Sequence, residues 1–170
     1  ARFDIYPLVV LYYLFAPQVL DHWPQKEDRI SLKLADLNAA NKLSEGPAHR
    51  ALSDVETTLA LAKKLRSKAS MWQWGLDAFQ KNIDQARQHN LPTLSDNMPE
   101  QRLALMIDGR FGFKNTFQRA AVNLGIHLKY GNQTLWLTLD TINLAQAADD
   151  LDACGRLIIR KKWGEAPIML

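Results

Sequence analysis

The hydrophobic spacing of this chain changes period near residue 100, and that change limits what it can fold into. Upstream, apolar residues recur every three or four positions. Leu52, Val55, Leu59, Ala62 and Leu65 or Arg66 make the clearest series, which puts one apolar stripe on a helix from Ala51 to about Arg66. Downstream, Thr134-Leu135-Trp136-Leu137-Thr138-Leu139-Asp140 alternates between threonine and aliphatic or aromatic residues, as a half-buried strand does. The chain therefore reads as helices followed by a small antiparallel β unit.

The same patterning locates the other elements. Residues 4–15 are apolar almost throughout, which predicts a helix packed on both sides, starting near Pro7 as a first-turn proline. Gln18 to Arg29 reads as a polar loop containing His22-Trp23-Pro24. Ser31 is the expected N-cap of a helix with Leu34, Leu37 and Ala40 or Asn41 on its apolar face. Gly46-Pro47 breaks the chain before the Ala51 helix, and Lys63, Lys64 and Arg66 suit that helix's last turn. A second amphipathic helix is expected from Met71 to about Gln88, then a turn-rich loop from Leu91 to Pro99. The expected strands are Leu103–Ile107, Asn123–Tyr130, Thr134–Asp140, Leu157–Ile159 and Ile168–Leu170, with a barrel-like arrangement.

Bulk properties narrow the function. The longest apolar run, Leu8 to Ala16, falls short of the roughly 20 residues needed to cross a bilayer, so no membrane span is expected. The single Cys154 excludes an internal disulfide and fits a reducing cytoplasm. Net charge is +3, compatible with nucleic-acid binding without arguing for it. Nine Lys/Arg face eight Asp/Glu before Ser67, and twelve face ten after it, so neither half is a basic arm. DNA contacts would have to come from local clusters such as Arg160-Lys161-Lys162. Trp163 follows that cluster, and a basic run beside an aromatic suits unpaired bases. Trp72 and Trp136 read instead as core. The chain opens on Ala1 and closes on the apolar Ala166 to Leu170; we read it as a piece of a longer polypeptide.

One pair of residues carries chemistry. In His49-Arg50-Ala51-Leu52-Ser53-Asp54 the aspartate falls in the first turns of a helix, where the dipole favours its ionised form. The histidine lies just before it, with an ordinary pKa near 6.5 that suits a general base. Taken alone, the pair is a weak signal and reads more readily as a capping imidazole and a solvated first-turn carboxylate.

Its surroundings add more. Leu34, Leu37, Leu43, His49, Ala51, Asp54 and the Leu59/Ala62/Leu65 stripe match, in order and spacing, the last motif of the DEDDh 3'→5' exonucleases. The runs Arg2-Phe3-Asp4, His22-Trp23-Pro24, Leu32 to Asn41 and His49 to Lys64 resemble the C-terminal part of the exonuclease domain in the bacterial exonuclease I family. Asp108-Gly109-Arg110-Phe111-Gly112, Asn115-Thr116, His127 and Thr138-Leu139-Asp140 look like the SH3-like domain that follows there.

The resemblance implies an α/β then β organisation. Residues 1–67 would be part of a ribonuclease H-like exonuclease domain (mostly its helices), 68–100 a helical connector, and 101–170 an SH3-like antiparallel β domain. It implies an enzyme that digests single-stranded DNA from the 3' end to 5'-mononucleotides, using magnesium, with manganese as a substitute. His49 would be the general base and Asp54 a metal ligand. Lys33 stands where the family has an arginine, keeping the charge and losing bidentate phosphate recognition. Arg102 and His127 occupy positions where the β domain could touch DNA, with plain solvated surface as the alternative. A single-stranded-DNA-binding protein is the implied partner.

The sequence also departs from the family. Its Asp-x-Glu and a further aspartate have no counterpart here, because Asp54-Val55-Glu56 lies inside the last motif. The spacing of Asp4 to Trp23 fits a later, structural aspartate better than the middle carboxylate. Metal binding by this piece alone is therefore expected to be poor and the piece inert by itself. The competing reading is a non-catalytic DNA-binding or interaction module that keeps the nuclease architecture.

Overall fold

A computed structural model describes residues 3–45, 51–139 and 150–170. The chain divides into two compact units, Ala1–Leu76 and Asp77–Leu170.

The first unit is built around α1 (Tyr6–Phe15), with a proline in its first turn. Every residue from Pro7 to Tyr12 is buried, as the unbroken apolar run predicts for a helix covered on all sides. Beyond the single helical turn Pro17–Val19, the expected polar loop holds a two-stranded hairpin, β1 (Gln25–Lys26) and β2 (Arg29–Ile30). Its two-residue turn puts Glu27 (φ 49°) and Asp28 (φ 58°) in the left-handed region. Glycine or asparagine usually marks such a turn, and their absence hid it.

α2 (Leu34–Asn41) begins later than expected, with Lys33 rather than Ser31 at the N-cap. The Ser31 hydroxyl is taken up by Asp36 Oδ2 at 2.5 Å, and the same carboxylate pairs with Lys26 at 2.5 Å. These two contacts hold the Asp36 carboxyl below its usual range, the Lys26 hydrogen bond first.

α3 (Ala51–Arg66) has the predicted bounds but not the predicted orientation. It buries Ser53, Thr57, Leu61 and Leu65, whereas Leu52, Val55 and Leu59 are 71%, 63% and 55% exposed. The buried Thr57 hydroxyl is satisfied locally. Thr57 Oγ1 donates to Ser53 O at 2.8 Å and shares a 2.5 Å hydrogen bond with Ser44 Oγ. Being small and paired, Thr57 costs little to bury. The helix expected over Met71–Gln88 is two helices, α4 (Ala69–Asp77) and α5 (Lys81–His89). In α4, Gly75 lets α1 approach so closely that an added Cβ would lie 2.6 Å from Leu8 Cδ2.

The second unit carries a six-stranded antiparallel sheet with neighbours β3 (Thr93–Ser95), β4 (Met98–Ile107), β5 (Gln118–Ile126), β6 (Gln133–Thr138) and β7 (Ile158–Lys162). The last strand, β8 (Ile168–Met169), pairs with the end of β4. The loop expected before Pro99 is thus largely the β3–β4 hairpin, turning at Asp96-Asn97 between the paired Ser95 and Met98. β5 starts earlier than expected and bulges at Leu124, where Asn123 Oδ1 accepts from Gly125 N at 2.7 Å. The short helix α6 (Leu151–Leu157) precedes β7. Leu91, Ala104, Met106, Phe111, Ala121, Trp136 and Met169 form the core, with Trp136 fully buried, as its place on an apolar face predicts.

The Arg160-Lys161-Lys162 cluster does not form one basic surface. Lys161 is fully buried, with Nζ 2.5 Å from Asp84 Oδ2 on α5, and it also donates to the Lys162 and Glu165 carbonyls. Burial pushes its ammonium group down and the Asp84 charge opposes that. Lys162 pairs with Glu165. Strand alternation explains the split, since every second residue of β7 faces the opposite side.

Candidate functional site

Asp54 is the anchor of the predicted site within the described residues. The first turn of α3 carries it, half-buried, and Thr58 Oγ1 donates to its main-chain carbonyl at 2.7 Å. Asp54 lines a groove of about 460 Å³ together with Phe3, Ile5, Val55, Thr58, Leu59 and Ala62. One carboxylate thus stands on the edge of an otherwise apolar wall. The outward face of α3 forms much of that wall, which is why turning its stripe away from the core matters to the site. A neighbouring cavity of about 320 Å³ shares Phe3, Ile5 and Thr58 and adds Asp4, Leu32, Leu34 and Leu37 among its lining residues. Asp4 Oδ1 accepts from Tyr6 N at 2.9 Å, holding the start of α1, in keeping with a structural aspartate.

His49 lies outside the described residues, as do Arg2 and Asp140 of the matched runs. The remaining candidates are spread over the chain. Lys33 is exposed at the N-cap of α2. Arg102 lies on β4, half-buried, with Nη1 3.2 Å from Leu91 O. His127 follows β5; its Nδ1 accepts from Lys129 N at 3.0 Å, and its ring centroid is 5.0 Å from that of Tyr130. Arg102 borders a cavity of about 350 Å³ with Gln88, His89, Asn123 and Trp163 among its walls; His127 does not line it. Sequence reasoning missed the apolar companions of Asp54, because Phe3 and Ile5 look like the lead-in to a core helix.

The donor chemistry of Asp54 fits a hard divalent cation, which prefers carboxylate oxygen. Among the described residues, no three His, Cys, Asp or Glu side chains gather into a metal-binding group. Asp54 therefore suits one place in a ligand set completed from elsewhere. No helix of the described residues is long and apolar enough to cross a membrane.

No family model matches the chain. It is 36% identical over 69 residues to exodeoxyribonuclease I of Buchnera aphidicola, covering 40% of this chain and 14% of that protein. It is 26% identical over 113 residues to exodeoxyribonuclease I of Escherichia coli, covering 66% of this chain and 22% of that protein. The fold is similar to that of apo exonuclease I, with a TM-score of 0.79 at 21% identity over 99% of this chain and 36% of the other. The zinc-bound E. coli ExoI–ssDNA complex gives 0.76 at 18% identity, over 100% of this chain and 38% of the other. An ExoI/SSB-Ct complex gives 0.72 at 18% identity, over 100% and 38%. The chain spans about a seventh and about a fifth of the two relatives' lengths, and under two fifths of the solved chains. In sequence and in fold, this chain is similar to part of exodeoxyribonuclease I.

Proposed function

We propose that this chain is part of a 3'→5' exodeoxyribonuclease that hydrolyses single-stranded DNA to 5'-mononucleotides, acts in the cytoplasm, and is inactive by itself. Residues 1–67 supply the C-terminal part of the exonuclease domain, 68–100 a helical connector, and 101–170 an SH3-like β domain. The observation that carries the reading is the position of Asp54, ionisable and half-buried in the first turn of α3, in a chain whose matched segments are those of a nuclease.

The residues divide the chemistry between them. His49, as a neutral imidazole, takes the proton of the attacking water on a ring nitrogen. Asp54 would hold magnesium, or manganese in its place, with the other ligands coming from outside this chain. The bound cation would neutralise charge growing on the phosphoryl oxygens. Val55, Leu59 and Phe3 keep water from the carboxylate once the groove is covered. Lys33, Arg102 and His127 contact the strand, and a single-stranded-DNA-binding protein is the partner.

The test supplies the chain with the N-terminal segment of an exonuclease I-type protein and follows release of mononucleotides from single-stranded DNA. His49→Ala is expected to lower the rate by roughly 10²–10⁴-fold, the span of a general base. Full activity in that variant would remove His49 from the chemistry.

A further inference from the structure

The antiparallel ladder between β4 and β5 breaks off while both strands run on. The two pair from Ile107↔Gln118 to Leu103↔Val122, and the same register would next join Arg102 to Asn123, Gln101 to Leu124 and Glu100 to Gly125. None of these pairs forms. β5 bulges there, with Gly125 at φ 111°, and a bulge bends its strand away from the neighbour. The residues that would have paired instead line a cavity of about 350 Å³. Along that stretch β4 pairs with β3 on its other side, and β5 with β6. The cavity therefore lies between two strand edges. His127 N donates to Gln133 O on the β6 side, so alternation turns the main-chain N–H and C=O of Ile126 towards the cavity.

Two buried donors stand at the same cavity without acceptors. Trp136 Nε1 donates to Thr134 Oγ1 at 2.8 Å, and Thr134 Oγ1 donates to Gln88 Oε1 at 2.9 Å. That chain fixes the Gln88 amide, with its oxygen engaged and its nitrogen left over. Gln88 Nε2 and Trp163 Nε1 are both buried with no hydrogen-bond partner, and both residues line the cavity. A buried donor left unpaired is costly, so each calls for an oxygen from outside the fold. Apart from His89, the charged residues in the walls are Glu100 and Arg102. Their charges cancel, which favours an uncharged ligand. Leu124 and Ile126, 49% and 58% exposed, add apolar surface. We infer that this cavity receives an extended, uncharged peptide segment with alternating apolar residues, which adds as a strand between β4 and β5. Its carbonyls accept from Gln88 Nε2 and Trp163 Nε1, its main chain pairs along Ile126, and its apolar side chains cover Leu124 and Ile126. The Arg102 guanidinium, whose Nη1 donates to Leu91 O, is not called on. The inference stands independently of the nuclease reading and of the Asp54 groove.

The experiment titrates the ¹⁵N-labelled full chain with a short peptide alternating valine with serine or threonine, blocked at both ends so that it carries no charge. Saturable shifts are expected in the NMR signals of the Trp163 indole N–H, the Gln88 side-chain amide and the Ile126 main-chain N–H, with slower hydrogen exchange at Ile126. Trp163→Phe keeps an aromatic ring and removes the donor. It should weaken binding roughly two- to tenfold, the worth of one net hydrogen bond. The same peptide with its main-chain nitrogens methylated keeps its carbonyls and side chains but loses the donors of a strand, and it should not bind. Absence of the three shifts at millimolar peptide would overturn the site. Equal binding of the methylated peptide to the wild-type chain would do the same, however the variant folds. An oligothymidylate that moves these signals where the peptide does not would also overturn it, in favour of nucleic acid.

Discussion

At Tyr12 one hydroxyl ties α1 to the end of α3. The side chain is fully buried, and its Oη donates to Leu65 O at 2.8 Å and lies 3.3 Å from Lys68 O. Burial pushes the phenol up to about 12. In the unfolded chain the same group titrates near 10, so between those values the unfolded state loses its proton first. Stability from this group is complete below about pH 10 and falls as pH rises towards 12. Thermal melts over that interval should show a steeper loss for the wild type than for Tyr12→Phe. At neutral pH the variant should be about 1–3 kcal/mol less stable, because a buried carbonyl loses its donor. Asp84 makes a parallel case. Its Oδ2 accepts from both Lys161 Nζ and Gly164 N. Asp84→Asn should cost about 3–5 kcal/mol in chemical denaturation, since it leaves a buried ammonium without its counter-charge.

α3 shows how far sequence spacing reaches. Its bounds were legible from Gly46-Pro47 upstream and the basic last turn, and the structure keeps them at Ala51–Arg66. Its buried face was not legible. Ranking residues by hydrophobicity favours Leu52, Val55 and Leu59, but the helix turns Ser53 and Thr57 inward, and the Thr57 hydroxyl finds partners one turn back and on Ser44. Leu59→Asp should therefore change the stability of the chain by no more than about 0.5 kcal/mol. Leu61→Ala, at 1% exposure, should cost about 2–5 kcal/mol. Equal losses in urea denaturation would restore the face expected from spacing. The β1–β2 hairpin was hidden for another reason, because its left-handed positions hold Glu27 and Asp28 with no glycine or asparagine to mark the turn. The strands from Leu103 onward were easier to place, since threonine alternation and the buried Trp136 both mark the face of the sheet.

Across the whole molecule, the two units carry different parts of the proposed chemistry. The first presents one carboxylate beside an apolar wall whose Phe3, Val55 and Leu59 are exposed. The second presents scattered cationic and polar side chains around a sheet. The Asp54 position was legible because motif and helix start coincide. In the proposed function, His49 and Asp54 complete a nuclease when the remaining carboxylates are supplied. The direct measurement follows a 5'-labelled single-stranded oligonucleotide on a sequencing gel, with the chain, an exonuclease I-type N-terminal segment and magnesium. Progressive shortening from the 3' end is expected, and it should stop with chelator or with Asp54→Asn. Persistence of the full-length strand, in a mixture where the two polypeptides are shown to associate, would contradict it.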